Sequence, residues 1–414
     1  MFPISHEGKW FRFLMVFIFL GAAMETDIYL PTFPDILSDF NTDAVMVQRI
    51  LSYNFIGICI GSLLYGPLSD HFGRRKILMF GFSVFLTASI ACIFASTIEQ
   101  LLAFRLLQGF GSSACVIVGT AMIFDLFDED SAAKLIADLN TLVVSLMAFA
   151  PLIGGWISLH MGYKANFVFI AILVLLSAVK CFFFLPESLS TDKRKKVAPK
   201  RIVSDYKTVL SSSAFWYNTL VTSLILAAYM IYVSNMSLLY IEQLEVSPER
   251  FPFFQMATLG TFVLVSLNNA RLIDRFGINK LKSTGLGLIF TTTLVFFLLP
   301  SEQLNSPFIL TGTMCLFSIG AGLSIGLFFA KSMQVFPDLT GIAASLVTAI
   351  RLFIVSAAID LGSNAYEGTS ESVIHVMTAV VIFLAAISSV NYWRQSRLKQ
   401  AESSRLISST TKSR

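Results

Sequence analysis

The stretch Gly66-Pro67-Leu68-Ser69-Asp70-His71-Phe72-Gly73-Arg74-Arg75-Lys76 lies between two long apolar segments. The preceding segment, Ile50–Tyr65, and the following one, Ile77–Ile98, carry no charged residue. Glycine, proline and a cluster of basic residues between such segments are typical of a turn at a membrane surface. The stretch therefore predicts two membrane-spanning segments joined by a charged turn of about eleven residues.

The composition indicates the same class for the whole chain. Of the 414 residues, 55% are hydrophobic and only 14% are charged, whereas a soluble domain has about 25% charged residues. The apolar segments are about twenty residues long, the length of a spanning helix rather than of a barrel strand. No cleavable signal peptide is expected, since the first apolar segment lacks a small-residue cleavage site. We therefore expect an all-α, multi-pass membrane protein.

Hydrophobic length predicts twelve spans in two sets of six. The first set comprises Phe11–Leu30, Val47–Leu68, Ile77–Thr97, Glu99–Met122, Leu135–Leu159 and Ala165–Leu185. The second set comprises Ala214–Ile241, Phe251–Leu272, Leu281–Pro300, Pro307–Gln334, Gly341–Leu361 and Ser372–Trp393. The domain prediction is an N-terminal half (1–185), a polar cytoplasmic linker (186–213), a C-terminal half (214–393) and a disordered cytoplasmic tail (394–414).

Basic residues predict the orientation, because Lys and Arg accumulate on the cytoplasmic side. With both termini inside, the inner segments hold 24 of the 30 Lys and Arg residues, and the outer segments hold only Arg49, Lys164 and Arg250. We therefore expect both termini in the cytoplasm.

An internal repeat relates the two halves. Gly66–Gly73 aligns with Ala270–Gly277 at a constant offset of 204 residues, so that Asp70 corresponds to Asp274. Both stretches follow the second span of their half, which predicts parallel repeats about an axis along the membrane normal. Such an arrangement places a substrate cavity between the halves, near the middle of the membrane.

Four stretches resemble motifs of the major facilitator superfamily. The opening stretch resembles its signature loop, with His71 in place of the usual Arg. Leu102–Gly111 is similar to the fourth-helix motif of proton-driven members, and Ala150–Gly155 to the fifth-helix motif of drug/proton antiporters. Asp27–Pro34 is similar to the first helix of the Bcr/CflA group of bacterial drug exporters. The resemblance implies the major facilitator fold, a location in the bacterial inner membrane and alternating access between the halves.

The resemblance also implies a conformational latch at the charged turns. Its candidate residues are Gly66, Asp70, Gly73, Arg74 and Asp274. Asp70 is expected to meet a helix N-terminus or the adjacent basic residues. The alternative is that the turn only anchors the chain at the anionic leaflet.

Two carboxylates of the first span are candidates for proton coupling. Carboxylates within a membrane are costly and normally face a cavity or a partner. Asp27 matches the family motif and is the preferred proton site, whereas Glu25 is a second candidate that could instead contact a cationic substrate. Since they are two residues apart on a helix, they should not form a dyad. Both could alternatively lie at the outer, hydrated interface.

Arg105 in the fourth span keeps its charge at any accessible pH and therefore needs a polar or acidic partner. Asp27 lies at a comparable depth, and Gln108 could share the hydrogen bonds of the guanidinium. The resemblance implies a part in proton coupling, and a purely structural ion pair is the alternative.

Pro151, Gly154 and Gly155 predict a bend and a close helix contact in the fifth span, with simple packing as the alternative. Substrate-binding candidates are Tyr29, Tyr53, Asn54 and Asn140, which are aromatic or polar residues at plausible cavity depth.

Arg351, near the middle of the eleventh span, is also a substrate-binding candidate. Three interpretations are open. The residue could pair with Asp27 or Glu25 across the halves, bind an anionic or zwitterionic substrate, or extend its charge toward the membrane surface.

These features predict a proton-coupled secondary transporter that exports small amphipathic molecules such as drugs. Export of an endogenous anionic metabolite or siderophore, or uptake by proton symport, is the alternative. The chain has no Walker-type loop, and its five cysteines and four histidines are scattered, so neither a cofactor nor a metal is expected. No enzyme or channel signature is evident. The expected partners are the substrate, protons and the lipid bilayer, with no nucleic acid and a monomeric state.

Overall fold

The computed structural model describes residues 7–190, 192, 194, 199–336 and 339–412. In these ranges the chain is helical and contains no strand. The helices of the N-terminal half are α1 (Glu7–Met24), α2 (Phe33–Asp39), α3 (Ala44–Phe72), α4 (Arg74–Ile93), α5 (Ile98–Leu126), α6 (Glu129–Met161) and α7 (Lys164–Phe184). The remaining helices are α8 (Pro199–Leu210), α9 (Ser213–Leu238), α10 (Phe251–Phe276), α11 (Ile278–Leu298), α12 (Ser301–Leu304), α13 (Pro307–Gln334), α14 (Thr340–Asn364) and α15 (Ser370–Lys412).

The predicted membrane architecture is confirmed. Within the described ranges, eleven helices are long and apolar enough to cross a membrane, and the shorter apolar helix Trp10–Met24 precedes them. Together they account for the twelve predicted segments. Helices α2, α8 and α12 are too short to span.

The first span is broken, in contrast to the continuous helix predicted over Phe11–Leu30. Helix α1 ends at Met24, and a turn leads into a single 3₁₀ turn, Leu30–Thr32, before α2. Pro31 explains the break, because it has no N–H to donate to the carbonyl of Asp27 and its ring would clash there. The N–H of Leu30 bonds to this carbonyl instead. Glu25 and Asp27 therefore lie in a turn and not on a helix.

The charged turn is much shorter than predicted. Helix α3 continues through the basic and acidic stretch to Phe72, and α4 begins at Arg74, so Gly73 alone connects them. Gly73 has φ +102° and ψ +145°, a conformation that glycine adopts readily. Gly277 connects α10 to α11 in the same way, with φ +79° and ψ +150°. The backbone thus repeats at the offset of 204 residues seen in the sequence.

Both polar regions outside the spans contain helix. Helix α8 lies within the predicted linker, and its Tyr206 and Val209 pack near the start of α14. The last helix extends to Lys412, over residues that were expected to be disordered. Between residue 394 and Lys412 there is no Gly or Pro to end the helix begun in the last span.

The two ends of the helix bundle differ. We call the end with Gly73, Gly277 and α8 the linker end, and the opposite end the far end. The face of α10 that begins with Phe251 and Gln255 is buried as far as Val263. Ala270 and Asp274, further along this face, are exposed. The halves therefore meet along the far part of α10, and this face is open at the linker end.

Candidate functional site

Glu25 is the centre of a buried polar cluster at the end of α1. Its side chain is 1% exposed. Its carboxylate accepts hydrogen bonds from Asn54 Nδ2 at 3.1 and 3.2 Å and from Ser112 Oγ at 2.9 Å. The guanidinium of Arg105 lies 3.1 Å away. Both oxygens of this buried carboxylate therefore have donors.

Arg105 has several oxygen partners besides this carboxylate. Its Nη1 also donates to the main-chain oxygen of Glu25 at 3.3 Å and to Gln108 Oε1. Its Nη2 donates to the hydroxyl of Tyr29, and the guanidinium carbon lies 4.1 Å from the centroid of the Tyr29 ring. Gln108 in turn donates to Ser89 Oγ at 2.8 Å. The expected role of Gln108 as a shared partner is thus observed, whereas the acidic partner is Glu25 rather than Asp27.

Sequence reasoning missed two members of this cluster, Ser89 and Ser112. Serines are common in membrane helices, so neither position was distinctive. The available signal was helical spacing, since Ser112 lies one turn after Gln108 and two turns after Arg105.

Asp27 lies in the same turn but in a different environment. It is 4% exposed, and its Oδ2 has no hydrogen-bond partner among the described residues. A buried carboxylate without donors is costly, so this group is the one that a proton or a cationic ligand would neutralise. The two acidic side chains therefore differ in their hydrogen bonding, and neither lies at a hydrated interface.

The fifth-helix motif contacts this turn directly. Gly154 in α6 lies against the main chain of Ile28, and a Cβ at this position would overlap the Ile28 carbonyl oxygen. A Cβ on Gly155 would come within 2.9 Å of Pro252 in the C-terminal half. Pro151 lies inside α6, one turn before them. The motif therefore packs one face of α6 against the broken first span and another against α10.

The substrate-binding candidates fall into three groups. Tyr29 and Asn54 are buried and belong to the Glu25 cluster. Tyr53 is half-buried and packs against the core. Asn140 lies in α6, but its side chain is outside the part of the chain that the structure describes.

Arg351 lies in α14, with its guanidinium carbon 4.8 Å from the ring centroid of Phe329. Its Nε is buried without a hydrogen-bond partner. In the described ranges none of the ion pairs involves Arg351, so neither of the two acidic residues proposed to pair with it does so.

The far end is held closed by hydrogen bonds between the halves. Ser52 Oγ donates to the main-chain oxygen of Ser356 at 3.0 Å, and Ser356 Oγ donates to that of Ser52 at 3.1 Å. One turn away, Gln48 Nε2 donates to Asn235 Oδ1 at 2.9 Å. All four residues are at most 4% exposed. Sequence analysis did not identify these two pairs, because the members of each pair are far apart in the sequence.

An ion pair lies further out on the same helices. Arg49 Nε is 2.6 Å from Asp360 Oδ1, and both side chains are partly exposed. Together with the serine pair, it joins α3 to α14 along the far end.

At the linker end, Arg74 is the centre of the predicted latch. Its Nη1 lies 2.5 Å from Asp70 Oδ1, and its Nε lies 3.0 Å from Asp125 Oδ2. Its main-chain N–H donates to Glu187 Oε1 at 2.9 Å. Glu187 also pairs with Arg194 at 3.8 Å. Asp70 thus meets an adjacent basic residue, one of the two partners expected for it.

Gly73 lies against Glu187 and Arg194 of this network, whereas the latch candidates Gly66 and Asp274 lie apart from it. Gly66 is inside α3, and nothing lies within 4 Å of where its Cβ would be. Asp274 is exposed at the end of α10. The described contacts of Asp70 and Arg74 are all within the N-terminal half and the linker.

Comparison with known proteins agrees with this architecture. The family model described as Major Facilitator Superfamily matches residues 15–359. A bicyclomycin resistance protein homolog of Haemophilus influenzae is 24% identical over 86% of this chain and 89% of its own. The chloramphenicol resistance protein CraA of Acinetobacter baumannii is 26% identical over 87% of this chain and 85% of its own. These names are consistent with the Bcr/CflA-like group.

Solved structures share the fold. A D-xylose-proton symporter superposes with a TM-score of 0.73 at 13% identity, covering 92% of this chain and 97% of its own. The human organic anion transporter MFSD10 superposes with a TM-score of 0.68 at 16% identity, covering 92% and 99%. The chain therefore belongs to the major facilitator superfamily of membrane transporters.

Proposed function

We propose that this transporter exports small amphipathic molecules, drugs and antibiotics among them, from the bacterial cytoplasm in exchange for protons. The linker end then faces the cytoplasm together with both termini, as the positive-inside rule requires. The conformation described above is the inward-facing one, in which the far end is closed. The resistance proteins among the relatives support a drug as the substrate class.

One observation carries the proposal: two buried carboxylates with unequal partners lie in the break of the first span. Glu25 is fixed by Arg105, Asn54 and Ser112, whereas Asp27 Oδ2 is unpartnered in the described structure. Asp27 would carry the proton in one half of the cycle and release it when substrate enters. Glu25 and Arg105 remain paired while this exchange takes place, so the electrostatic environment of Asp27 stays constant.

The exchange is driven by competition. A proton that binds Asp27 from the far side removes the cost of an unpaired buried charge, so the far end can close and the linker end can open. Substrate arriving from the cytoplasm then favours the deprotonated form, so that the two occupants alternate. Two ligands that compete for one site are sufficient for antiport if the transporter does not change between its two conformations while the site is empty and ionised.

The test uses purified full-length protein in liposomes that contain a pH-sensitive dye. Chloramphenicol or tetraphenylphosphonium is added, and proton movement is recorded together with substrate flux. Asp27→Asn, which mimics the protonated side chain, should abolish substrate-driven proton movement and remove the pH dependence of substrate binding. Glu99→Gln, which removes an exposed carboxylate from the start of α5, is the matched control. Proton movement that is unchanged in the Asp27→Asn protein would overturn the assignment.

Arg351 supports a second candidate, the export of an anionic or zwitterionic metabolite. Its buried Nε and the absence of an ion pair in the described chain leave the guanidinium available to a carboxylate or phosphate ligand. Arg351→Ala and Arg351→Lys separate the candidates. If Arg351→Ala loses anion transport and Arg351→Lys retains it, the second candidate is supported. If drug resistance is unchanged in both variants, drug export does not require Arg351.

A further inference from the structure

A cavity lies in the C-terminal half, at the linker end and away from the Glu25 cluster. It has a volume of about 570 Å³ and lies where the spans of α9, α11, α13 and α15 end. Three cations line it: Lys282, Lys331 and Arg394. The transport site described above uses none of them.

The charges of these three cations are not balanced by an ion pair among the described residues. None of the ion pairs in the described part of the chain involves them. The Lys282 ammonium instead lies 4.3 Å from the ring centroid of Phe328, which also lines the cavity. Three unpaired cations around one cavity repel each other, and an anion placed between them would relieve that repulsion.

The rest of the lining is suited to phosphate oxygens. Asn218, Asn279 and Asn391 come from three different helices. The last two offer amide donors, and Asn218, whose amide donates to the main-chain oxygen of Ala214 at 2.8 Å, has a second amide hydrogen. Together with the cations they surround the cavity with hydrogen-bond donors. The donor set therefore fits a phosphate group.

The surroundings favour a lipid over a soluble phosphate. Tyr392 and Trp393, next to the lining residues of α15, are 76% and 57% exposed. Exposed aromatic residues at the end of a spanning helix are typical of the headgroup level of a membrane. Leu286 and Val335 add apolar lining beside the cations. Basic pockets between helices on the cytoplasmic side are sites that bind anionic headgroups.

We propose that the cavity lined by Lys282, Lys331 and Arg394 binds the phosphate headgroup of an anionic phospholipid of the cytoplasmic leaflet. The headgroup would neutralise the three cations and tie together the ends of four helices of the C-terminal half. Because these helices belong to one half, the bound lipid would stabilise that half as a unit.

The test measures lipid binding to the purified full-length protein by native mass spectrometry in detergent. Dioleoyl phosphatidylglycerol is the probe, and dioleoyl phosphatidylcholine, which has no net charge, is the reference. Lys282→Gln with Lys331→Gln should weaken phosphatidylglycerol binding by about 30-fold, since each cation near an anionic surface contributes roughly fivefold in affinity. Lys282→Arg with Lys331→Arg should restore it.

The matched control is Lys207→Gln with Lys280→Gln, which removes two exposed lysines of the linker end that do not line the cavity. Equal weakening by the control pair would overturn the proposal in favour of general surface attraction. Displacement of phosphatidylglycerol by millimolar inorganic phosphate would overturn it in favour of a soluble ligand. Thermal unfolding of each variant without lipid verifies that the fold is intact.

Discussion

Glu25 and Arg105 form a completely buried ion pair, with Oε2 of the acid 3.1 Å from Nη1 of the base. Removing one partner leaves the other charged group uncompensated in an environment without water. We expect Glu25→Gln and Arg105→Gln each to lower the free energy of unfolding by about 3–5 kcal/mol. The double variant should lose much less than the sum, because no lone charge remains. Chemical denaturation in detergent provides the four values, and strict additivity would contradict a direct pair.

Gly154 offers a test of the contact between α6 and the broken first span. A methyl group at this position overlaps the Ile28 carbonyl oxygen. Gly154→Ala should therefore destabilise the protein by about 1–3 kcal/mol, the usual cost of overpacking, and reduce transport. Gly260→Ala is the control, since nothing lies within 4 Å of its added methyl. It should be neutral or slightly stabilising, because alanine has the higher helix propensity. If both variants behave alike, the close approach at Ile28 has no consequence.

The reciprocal bonds between Ser52 and Ser356 predict a reversible lock at the far end. Ser52→Cys combined with Ser356→Cys should form a disulfide under oxidation, because each side chain already reaches the main chain of the other residue. The far end could then no longer open, so transport should stop and return on reduction. The single cysteine variants control for oxidation of the native thiols. Full transport by the completely cross-linked protein would contradict the gate.

Substitution of Asp70 tests its role as a latch separately from its contribution to the stability of the fold. Its carboxylate lies 2.5 Å from Arg74, but the side chain is 39% exposed, so the pair contributes at most about 1 kcal/mol to folding. We expect Asp70→Asn to leave expression and thermal unfolding nearly unchanged and to lower the transport rate by about tenfold, equivalent to about 1.4 kcal/mol between conformational states. Asp125→Asn removes the other carboxylate partner of Arg74 for comparison. Wild-type transport rates in Asp70→Asn would contradict the latch.

The loops of the far end contain a pH-dependent contact. The hydroxyl of Tyr163 donates to Asp39 Oδ2 at 2.5 Å, and this bond, with the nearby ammonium of Lys164, holds the pKa of Asp39 below its usual range. A depressed pKa contributes stability above the unfolded pKa, and this contribution is lost as the pH falls through the folded value. Tyr163→Phe should therefore destabilise the protein at pH 7, by less than about 1 kcal/mol because Asp39 is half-exposed. The difference from wild type should shrink toward pH 3; a constant difference would mean that only packing is affected.

Much of the fold could be predicted from the sequence, because the thickness of the membrane sets the length of the apolar segments and its charge asymmetry sets the distribution of basic residues. The repeat of Gly66–Gly73 at Ala270–Gly277 identified equivalent turns, and both Gly73 and Gly277 have positive φ. The break in the first span was missed, although Pro31 was a signal. A prediction from hydrophobic length considers only how many apolar residues follow one another. The break depends instead on the absent N–H of Pro31 and on the buried partners of Glu25.

The site was predicted less completely, for a related reason. Residue chemistry identified Glu25, Asp27 and Arg105 as costly groups that need partners. It could not pair them, because a partner depends on which helices touch. Ser112 reaches Glu25 across 87 residues of sequence, and the paired serines of the far end are 304 residues apart. Neither contact has a local signal.

The many partners of Arg105 have a consequence for the transport cycle. Its guanidinium is held by four oxygen atoms: the Glu25 carboxylate, the Glu25 main chain, Tyr29 and Gln108. If a proton neutralised Glu25, three acceptors would remain, so the cation would not have to move. In the proposed cycle we therefore expect Arg105 to be a stationary counter-charge that keeps the turn after α1 joined to α5 while protons and ligands bind and leave.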